Sequence, residues 1–252
     1  MIETAIKAAR MAGERIEYYF ETVFEHEEKE DRSVVTKADL EAEEIILKKL
    51  EKDFPAHNVI SEETGDIGRK SDYVWVIDPL DGTLNFSRGL PIFAVSLALL
   101  HKGESLLSVV YNPVTKSLFH AEKGKGAFWN EEKILVSQKD DFGSTIITLG
   151  RARDEENKKK TLEIINKLYF KNHQRVLGSS AMELAWVACG RTEGFIGVGL
   201  KSWDVAGGLL MVEEAGGKVT NFLGGSVVAE EKLHFVASNG KIHEQLLQLI
   251  NS

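Results

Sequence analysis

Val74-Trp75-Val76-Ile77-Asp78-Pro79-Leu80-Asp81-Gly82-Thr83 is the stretch on which the reading of this chain turns. The apolar and aromatic run from Tyr73 to Ile77 stops at a carboxylate, which predicts a buried strand with Asp78 at its exit. Pro79 fixes φ and has no N–H, so the strand is expected to end there. Asp81, Gly82 and Thr83 then supply a second acid, a tight turn and a hydroxyl. Two carboxylates three residues apart on a rigid turn can converge on one hard cation. Carboxylate oxygens are the usual ligands of Mg²⁺, which often holds a substrate phosphate as well. If a helix starts near Asp81, the N–H groups of Gly82 and Thr83 point at an anion. The competing explanation is a plain surface turn, because Asp-Pro and Asp-Gly are common turn signals. The strand in front favours the metal: an ordinary turn does not need two anions at a buried end.

The chain has 252 residues, 43% of them hydrophobic, enough for a sizeable core in one large domain or two tightly joined ones. A net charge of −8 disfavours non-specific nucleic-acid binding, so nucleic acid is not an expected partner. It does not exclude an anionic substrate, because bound Mg²⁺ inverts the local field. The single Cys189 rules out an internal disulfide and a cysteine zinc cluster, and its apolar neighbours predict an inert buried thiol. No basic-then-apolar leader opens the sequence and no apolar run reaches about 18 residues, so a cytoplasmic chain without a membrane span is expected. Abundant Lys and Glu with little Gln hint at a heat-adapted source.

Residues 2–24 carry apolar side chains at helical spacing, and the charged run 26–32 reads as a solvated loop or hairpin. Val34 to Thr36 is a short strand candidate, after which Asp39 can cap a helix that ends before Pro55. Asn58 to Ser61 predicts a strand leading into Glu62 and Glu63, and 64–72 a surface loop. From Ile92 to Trp129 the pattern is an antiparallel meander. Beyond Gln138, strands (145–149, 175–177, 193–196, near 219 and 235) alternate with helices (154–169, 181–189, from 203, 242–250), an α/β pattern. The helix 154–169 is expected to bury Leu162, Ile165 and Leu168.

Four acidic points share one kind of position, a strand end or a helix start: Asp39, Glu62-Glu63, Asp78 with Asp81, and Asp204. Each has a plainer explanation, as a helix cap or a solvated pair. Together they hold enough oxygens for two or three Mg²⁺ ions, and cations would relieve their repulsion. Three segments carry a resemblance: Ser61-Glu62-Glu63, Asp78-Pro79-Leu80-Asp81-Gly82-Thr83, and Trp203-Asp204-Val205-Ala206-Gly207-Gly208. They resemble the inositol monophosphatases, which stand with fructose-1,6-bisphosphatase among the Mg²⁺-dependent, lithium-sensitive phosphatases. Val35 to Asp39, Lys123 to Phe128 and Glu214 to Gly217 match in order, so the resemblance covers the whole chain.

The resemblance implies a mixed α/β (α+β) fold, a layered α-β-α-β-α sandwich. It implies one phosphatase unit over 1–252, with an antiparallel-sheet sub-region at 1–137 and an α/β sub-region at 138–252. It implies that Glu62, Asp78 and the Leu80 carbonyl hold a first metal, that Asp78, Asp81 and Asp204 hold a second, and that Glu62 reaches a third through water. Thr83 with Asp39 would orient and deprotonate the attacking water. The Gly82 and Thr83 amides would bind phosphate, and Asp81, Gly178, Ser179 and Ser180 would line the pocket for a sugar or inositol. Glu63 would stand one step behind the ligands. A homodimer or homotetramer is implied, acting on a small phosphorylated polyol or sugar. Many animal members carry Glu seven residues before the second-metal Asp; here that residue is Gly197, and Ser180 stands where Ala is frequent. Sugar phosphates thereby become plausible substrates, with fructose 1,6-bisphosphate the runner-up to inositol 1-phosphate. Some bacterial relatives also bind transcription machinery, a role the acid set does not exclude.

The remaining polar residues are expected to be structural. The histidines show no metal spacing, and Arg69, Lys70, Arg151, Arg153 and Lys158 to Lys160 are expected to face water. Another phosphatase class, the haloacid-dehalogenase type, uses D-x-D-G-T with an Asp nucleophile. Here the spacing is D-x-x-D-G-T, one residue longer. Rapid quenching during turnover and peptide mapping should therefore find no phosphate on Asp78; a trapped phospho-aspartate there overturns direct attack by water.

Overall fold

The computed structural model describes residues 1–22, 27–28, 34–150, 152–227 and 232–252. Most of the charged run 26–32 and Arg151 lie outside the described residues. Helices α1 (Ile2–Thr22) and α2 (Lys37–Asp53) flank two short paired strands, β1 (Glu27–Glu28) and β2 (Val34–Val35). Eight further strands form one sheet: β3 (Asn58–Ser61), β4 (Gly65–Asp66), β5 (Tyr73–Asp81), β6 (Ala94–His101), β7 (Glu104–Asn112), β8 (Ser117–Glu122), β9 (Gly126–Trp129) and β10 (Glu132–Ile134). Their order is β10-β9-β8-β7-β6-β5-β3-β4, antiparallel throughout except for the parallel β3–β5 pair. One turn of helix, α3 (Thr83–Ser87), follows β5.

The second sheet contains β11 (Ile146–Leu149), β12 (His173–Arg175), β13 (Gly194–Leu200), β14 (Lys218–Asn221) and β15 (Leu233–Ser238), in the order β12-β11-β13-β15-β14. The β12–β11 and β11–β13 pairs are parallel, and the other two antiparallel. Its helices are α4 (Glu155–Leu168), α5 (Ser180–Ala188), α6 (Ser202–Glu214) and α7 (His243–Asn251).

Side-chain alternation along each strand sorts these elements into five layers. Trp75, Ile77, Leu97, Leu99 and Val109 of the large sheet pack against Ala5, Ala8, Ala12 and Ile16 of α1 and Ile46 of α2. The other face, with Val110 and Phe119, meets α5 and α6, whose far side meets Phe195 and Phe235 of the small sheet. Ile196, Val198 and Val236 point outward to α4 and α7. The architecture is α-β-α-β-α, mixed α+β. The middle layer is tight. A Cβ on Gly207 would stand 2.3 Å from Ser96 Oγ, and one on Gly208 2.5 Å from Leu184 Cβ. The Glu214 carboxylate accepts N–H bonds from Gly124 and Gly126, at 2.7 and 2.8 Å, tying α6 to the β8–β9 turn.

Three expectations need correction. The strand β5 does not stop at Pro79 but runs to Asp81, with Asp78 opposite Ser96 and Asp81 opposite Ala94. Three steps on one strand against two on its partner make a bulge, and a bulge tolerates a residue without an N–H. On α4 the buried face is Asn157, Thr161, Ile164 and Leu168, whereas Leu162 is exposed. Strand β12 lies at 173–175 rather than 175–177, which leaves Val176 and Leu177 to the loop before α5.

His243 is buried in the second half, with Nδ1 2.8 Å from Ser238 Oγ and Nε2 2.9 Å from Thr220 Oγ1. Burial, reinforced by Lys218 and opposed by Glu244, pushes its pKa down to about 4. A lowered folded pKa means the unfolded chain binds the extra proton first, so stability drops as pH falls from about 6.5 towards 4. Denaturant melts across that window should show a loss of up to about 3 kcal/mol. The loss should be largely absent in His243→Gln.

Candidate active site

Each acid reaches the site from a different element. Glu62 follows β3, and its N–H donates to the Ile77 carbonyl at 3.2 Å, which aligns it beside β5. Asp78 and Asp81 stand on either side of the β5 bulge. Asp204 lies in the first turn of α6. Carboxylate oxygens of Glu62, Asp78 and Asp204 all fall within 4.8 Å of one another. These three, with Leu80, Asp81, Gly82, Thr83, Gly178 and Ser180, line a cavity of about 610 Å³. Asp39, Glu63 and Ser179 do not line it.

One pattern recurs among the aspartates: one oxygen of each is tied to a backbone amide. Asp78 Oδ1 accepts the Leu80 N–H at 3.1 Å, an Asx turn that closes the bulge. Asp81 Oδ2 accepts from the Ser179 hydroxyl at 2.5 Å and the Ala181 N–H at 2.8 Å. Asp204 Oδ2 accepts the Lys201 N–H at 2.8 Å, while its Oδ1 faces Arg153. Asp39 was expected to cap α2. The cap is instead Thr36, and Asp39 is the reciprocal third residue of the capping box. Its Oδ2 accepts from the Thr36 N–H and hydroxyl at 2.8 and 2.6 Å, and its Oδ1 lies 2.9 Å from Thr83 Oγ1. Thr83 Oγ1 also lies 2.9 Å from the Leu80 carbonyl.

Gly82 holds the turn between Asp81 and Thr83 with φ of 92°, in the left-handed region. A side chain there would be strained, and its Cβ would stand 2.8 Å from the Ile92 carbonyl. Asn85, one turn on, donates from Nδ2 to the Ile92 and Leu177 carbonyls at 2.8 and 2.7 Å. That bond joins the β5 turn to the loop carrying Gly178.

Burial raises the acid pKa values. Asp78 lies well above the carboxylate range, pushed by burial and then by the charges of Glu62, Asp81 and Asp204. Burial lifts Asp81 to about 7 and Asp204 to about 6, against the bonds from Ser179 and Ala181 and the charge of Arg153 respectively. Asp39 is raised to about 7, again by burial, although three hydrogen bonds from Thr36 and Thr83 oppose it. Glu63 adds like charge beside Asp39. Dry, crowded carboxylates are a donor set that a hard divalent cation satisfies.

Several participants were not found in the sequence. Arg153, expected in water, places Nη2 3.2 Å from Glu62 Oε1 and 3.6 Å from Asp204 Oδ1. Burial would lower its pKa, but the charges of Asp204, Glu62 and Asp78 more than offset that and raise it. Its partners are 91 and 51 residues away, a pairing no local pattern reports. Lys158, also expected in water, is exposed but lines the cavity. Arg69 pairs with Glu51 at the surface. Glu183 is fully buried on α5, accepts the Leu177 N–H at 3.2 Å, and is raised well above the carboxylate range by burial. A lone acid inside the apolar run Ala181 to Cys189 was the available signal for it.

The model of the inositol monophosphatase family matches residues 1–252. The Nus factor SuhB of Escherichia coli K12 is 41% identical over 230 residues, covering 89% of this chain and 86% of that protein. A Thermotoga maritima protein named fructose-1,6-bisphosphatase/inositol-1-monophosphatase is 37% identical over 99% of this chain and 95% of its own. The crystal structure of the extragenic suppressor protein suhB of Bartonella henselae superposes with a TM-score of 0.94 at 35% identity, covering 100% of this chain and 98% of that one. An IMPase structure from Thermotoga maritima gives 0.91 at 35% identity, covering 99% and 96%. A match over the entire length, with relatives well above 30% identity, shows that this chain belongs to the inositol monophosphatase family.

Proposed function

We propose that the chain is a Mg²⁺-dependent phosphomonoesterase that hydrolyses inositol 1-phosphate, with sugar phosphates as further substrates. The observation that carries this reading is the trio Glu62, Asp78 and Asp204 in one cavity with Thr83, backed by Asp39. Glu62, Asp78, the Leu80 carbonyl, Asp81 and Asp204 would hold Mg²⁺, their hard oxygens and mutual repulsion fitting a small divalent cation. When bound, the metal supplies a lowered pKa for water and charge stabilisation for the leaving alkoxide.

The chain's own residues do the rest. Thr83 lies within hydrogen-bond distance of two acceptors, Asp39 Oδ1 and the Leu80 carbonyl, and owns one proton. With its proton directed at Asp39 Oδ1, the Thr83 oxygen accepts a hydrogen bond from the attacking water and orients it; as the water attacks, its proton passes to Thr83 Oγ1 while the Thr83 proton passes to Asp39, which becomes neutral. The Gly82 and Thr83 amides, at a helix start without intrahelical acceptors, receive the phosphate oxygens. Gly178 and Ser180 border the alcohol portion, and the buried Ser179 acts on the pocket through Asp81. Phosphoryl transfer needs positioning and charge neutralisation, and no nucleophilic side chain. At Gly197 a Cβ would meet the Phe235 ring at 2.3 Å, so the acid common in animal members has no room. That supports a broader alcohol preference than inositol alone.

The same proposal takes the chain as one unit with sub-regions 1–137 and 138–252, lithium-sensitive, cytoplasmic and a homodimer or homotetramer. No helix among the described residues is long and apolar enough to cross a membrane. The likeness to the Nus factor SuhB proteins favours a second role, binding transcription machinery beside catalysis. An Asp81→Asn variant that kept every cellular function would favour that role over catalysis.

Phosphate release from a panel of esters should require Mg²⁺ and vanish with chelator. Asp78→Asn and Asp204→Asn should abolish release and calorimetric Mg²⁺ binding. By relieving buried like charges, they should also leave the metal-free protein more stable, by about 1–3 kcal/mol in denaturant melts. Asp39→Asn and Thr83→Ala should each lower kcat by roughly 10²–10⁴-fold with a much smaller change in KM. Thr83→Ser, which keeps the hydroxyl, should recover most of the loss.

A further inference from the structure

Glu183 is a buried acid that the chemistry above does not use. It stands in the first turn of α5, among the buried apolar side chains Ala181, Met182, Leu184 and Ala185. Its side chain turns back past the start of the helix. Oε1 accepts the Leu177 N–H at 3.2 Å, whereas Oε2 makes no hydrogen bond among the described residues. Burial raises its pKa well above the carboxylate range; the Leu177 and Ser179 N–H groups oppose that rise and the charge of Asp81 adds to it. A carboxyl in that setting stays neutral, and a neutral acid still accepts through its carbonyl oxygen.

Capping α5 is the plainer role, but Ser179 already fills it, its hydroxyl accepting the Met182 N–H at 3.5 Å. The Glu183 bond reaches further out, to a loop between β12 and α5 that has no ladder or helix of its own. Such a loop needs other partners for its backbone. Leu177 finds them on two different helices: its N–H on Glu183 of α5, and its carbonyl on Asn85 of α3, at 2.7 Å. Gly178 follows with φ of 82°, and a Cβ there would stand 3.3 Å from Asn85 Nδ2. That left-handed step leads the chain to Ser179, whose hydroxyl bonds Asp81. Val176, Leu177, Gly178 and Ser180 all line the cavity. One buried carboxyl thus stands behind this whole stretch of wall.

We propose that Glu183 is a positioning residue for ester hydrolysis: its carboxyl fixes the Leu177 backbone and, through it, the stretch from Gly178 to Ser180 that borders the alcohol portion of the substrate. The proposal rests on the phosphatase reading, and the test separates the two.

Glu183→Leu keeps the apolar volume and removes the acceptor. Hydrogen–deuterium exchange on the metal-free protein should show the Leu177 amide exchanging about ten-fold faster, with no matching change in the large sheet. With Mg²⁺, KM for the best ester of the panel should rise by about ten-fold with a much smaller change in kcat, the mark of binding lost equally from ground and transition states. Glu183→Gln, which keeps an oxygen acceptor and carries no charge, should restore most of both. Glu183→Met removes the acceptor in the same way if the Leu variant fails to fold. Unaltered Leu177 exchange or an unaltered KM in an apolar variant that still hydrolyses the ester overturns the positioning role and leaves the phosphatase reading standing. A kcat loss in Glu183→Gln as large as in Glu183→Leu also overturns it, because the Glu183 proton would then take part in the chemistry. If the unaltered protein hydrolyses no ester of the panel, the phosphatase reading itself falls, and the role of Glu183 in hydrolysis with it.

Discussion

Repulsion among buried carboxylates is the constraint that the rest of this structure serves. Asp78, Asp81, Asp204 and Asp39 are almost wholly removed from water, and Glu62 stands among them. An isolated buried charge is costly, and several of one sign are costlier. The fold answers with anchoring. Each aspartate gives one oxygen to a backbone amide nearby, from Leu80, Ala181, Lys201 or Thr36. The bond fixes the direction of the carboxylate and leaves its second oxygen outside that bond. Fixed oxygens are worth more to a small cation than mobile ones, because their ordering is already complete before binding.

The layered arrangement makes that convergence possible. Two sheets and the helices between them bring β5, α5 and α6 to one point. Ser179 and Ala181 of the second half hold Asp81 of the first, and Asn85 of the first holds the Leu177 carbonyl of the second. The cavity is therefore a seam between regions about a hundred residues apart. Its shape depends on α6 approaching β6 and α5 closely, which Gly207 and Gly208 permit. Local propensity argues against paired glycines within a helix, and packing overrides it.

Much of the candidate site was legible in the chain. A buried apolar strand ending in acids is a conflict between burial and charge, and such conflicts mark function more often than structure. Asp78, Asp81, Glu62 and Asp204 showed themselves this way. Thr83 and Gly82 followed from their place after the strand. The reading of Pro79 as a terminator failed because a bulge, invisible in one strand's sequence, gave the missing N–H a harmless place. The reading of Leu162 as core failed because helical spacing defines a stripe but not which of two overlapping stripes meets the sheet.

The sequence by itself determined most of the strand and helix segments, that the organising strand is buried, and that acids cluster at element ends, since these follow from periodicity and local chemistry. Tertiary structure alone decided which oxygen of each aspartate is tied to an amide, that Glu183 is dry, that Arg153 pairs with Glu62 and Asp204, and that exposed Lys158 borders the same cavity. Those outcomes depend on groups distant in sequence meeting at a seam. Charge and burial there are properties of the assembled layers, which no single segment carries.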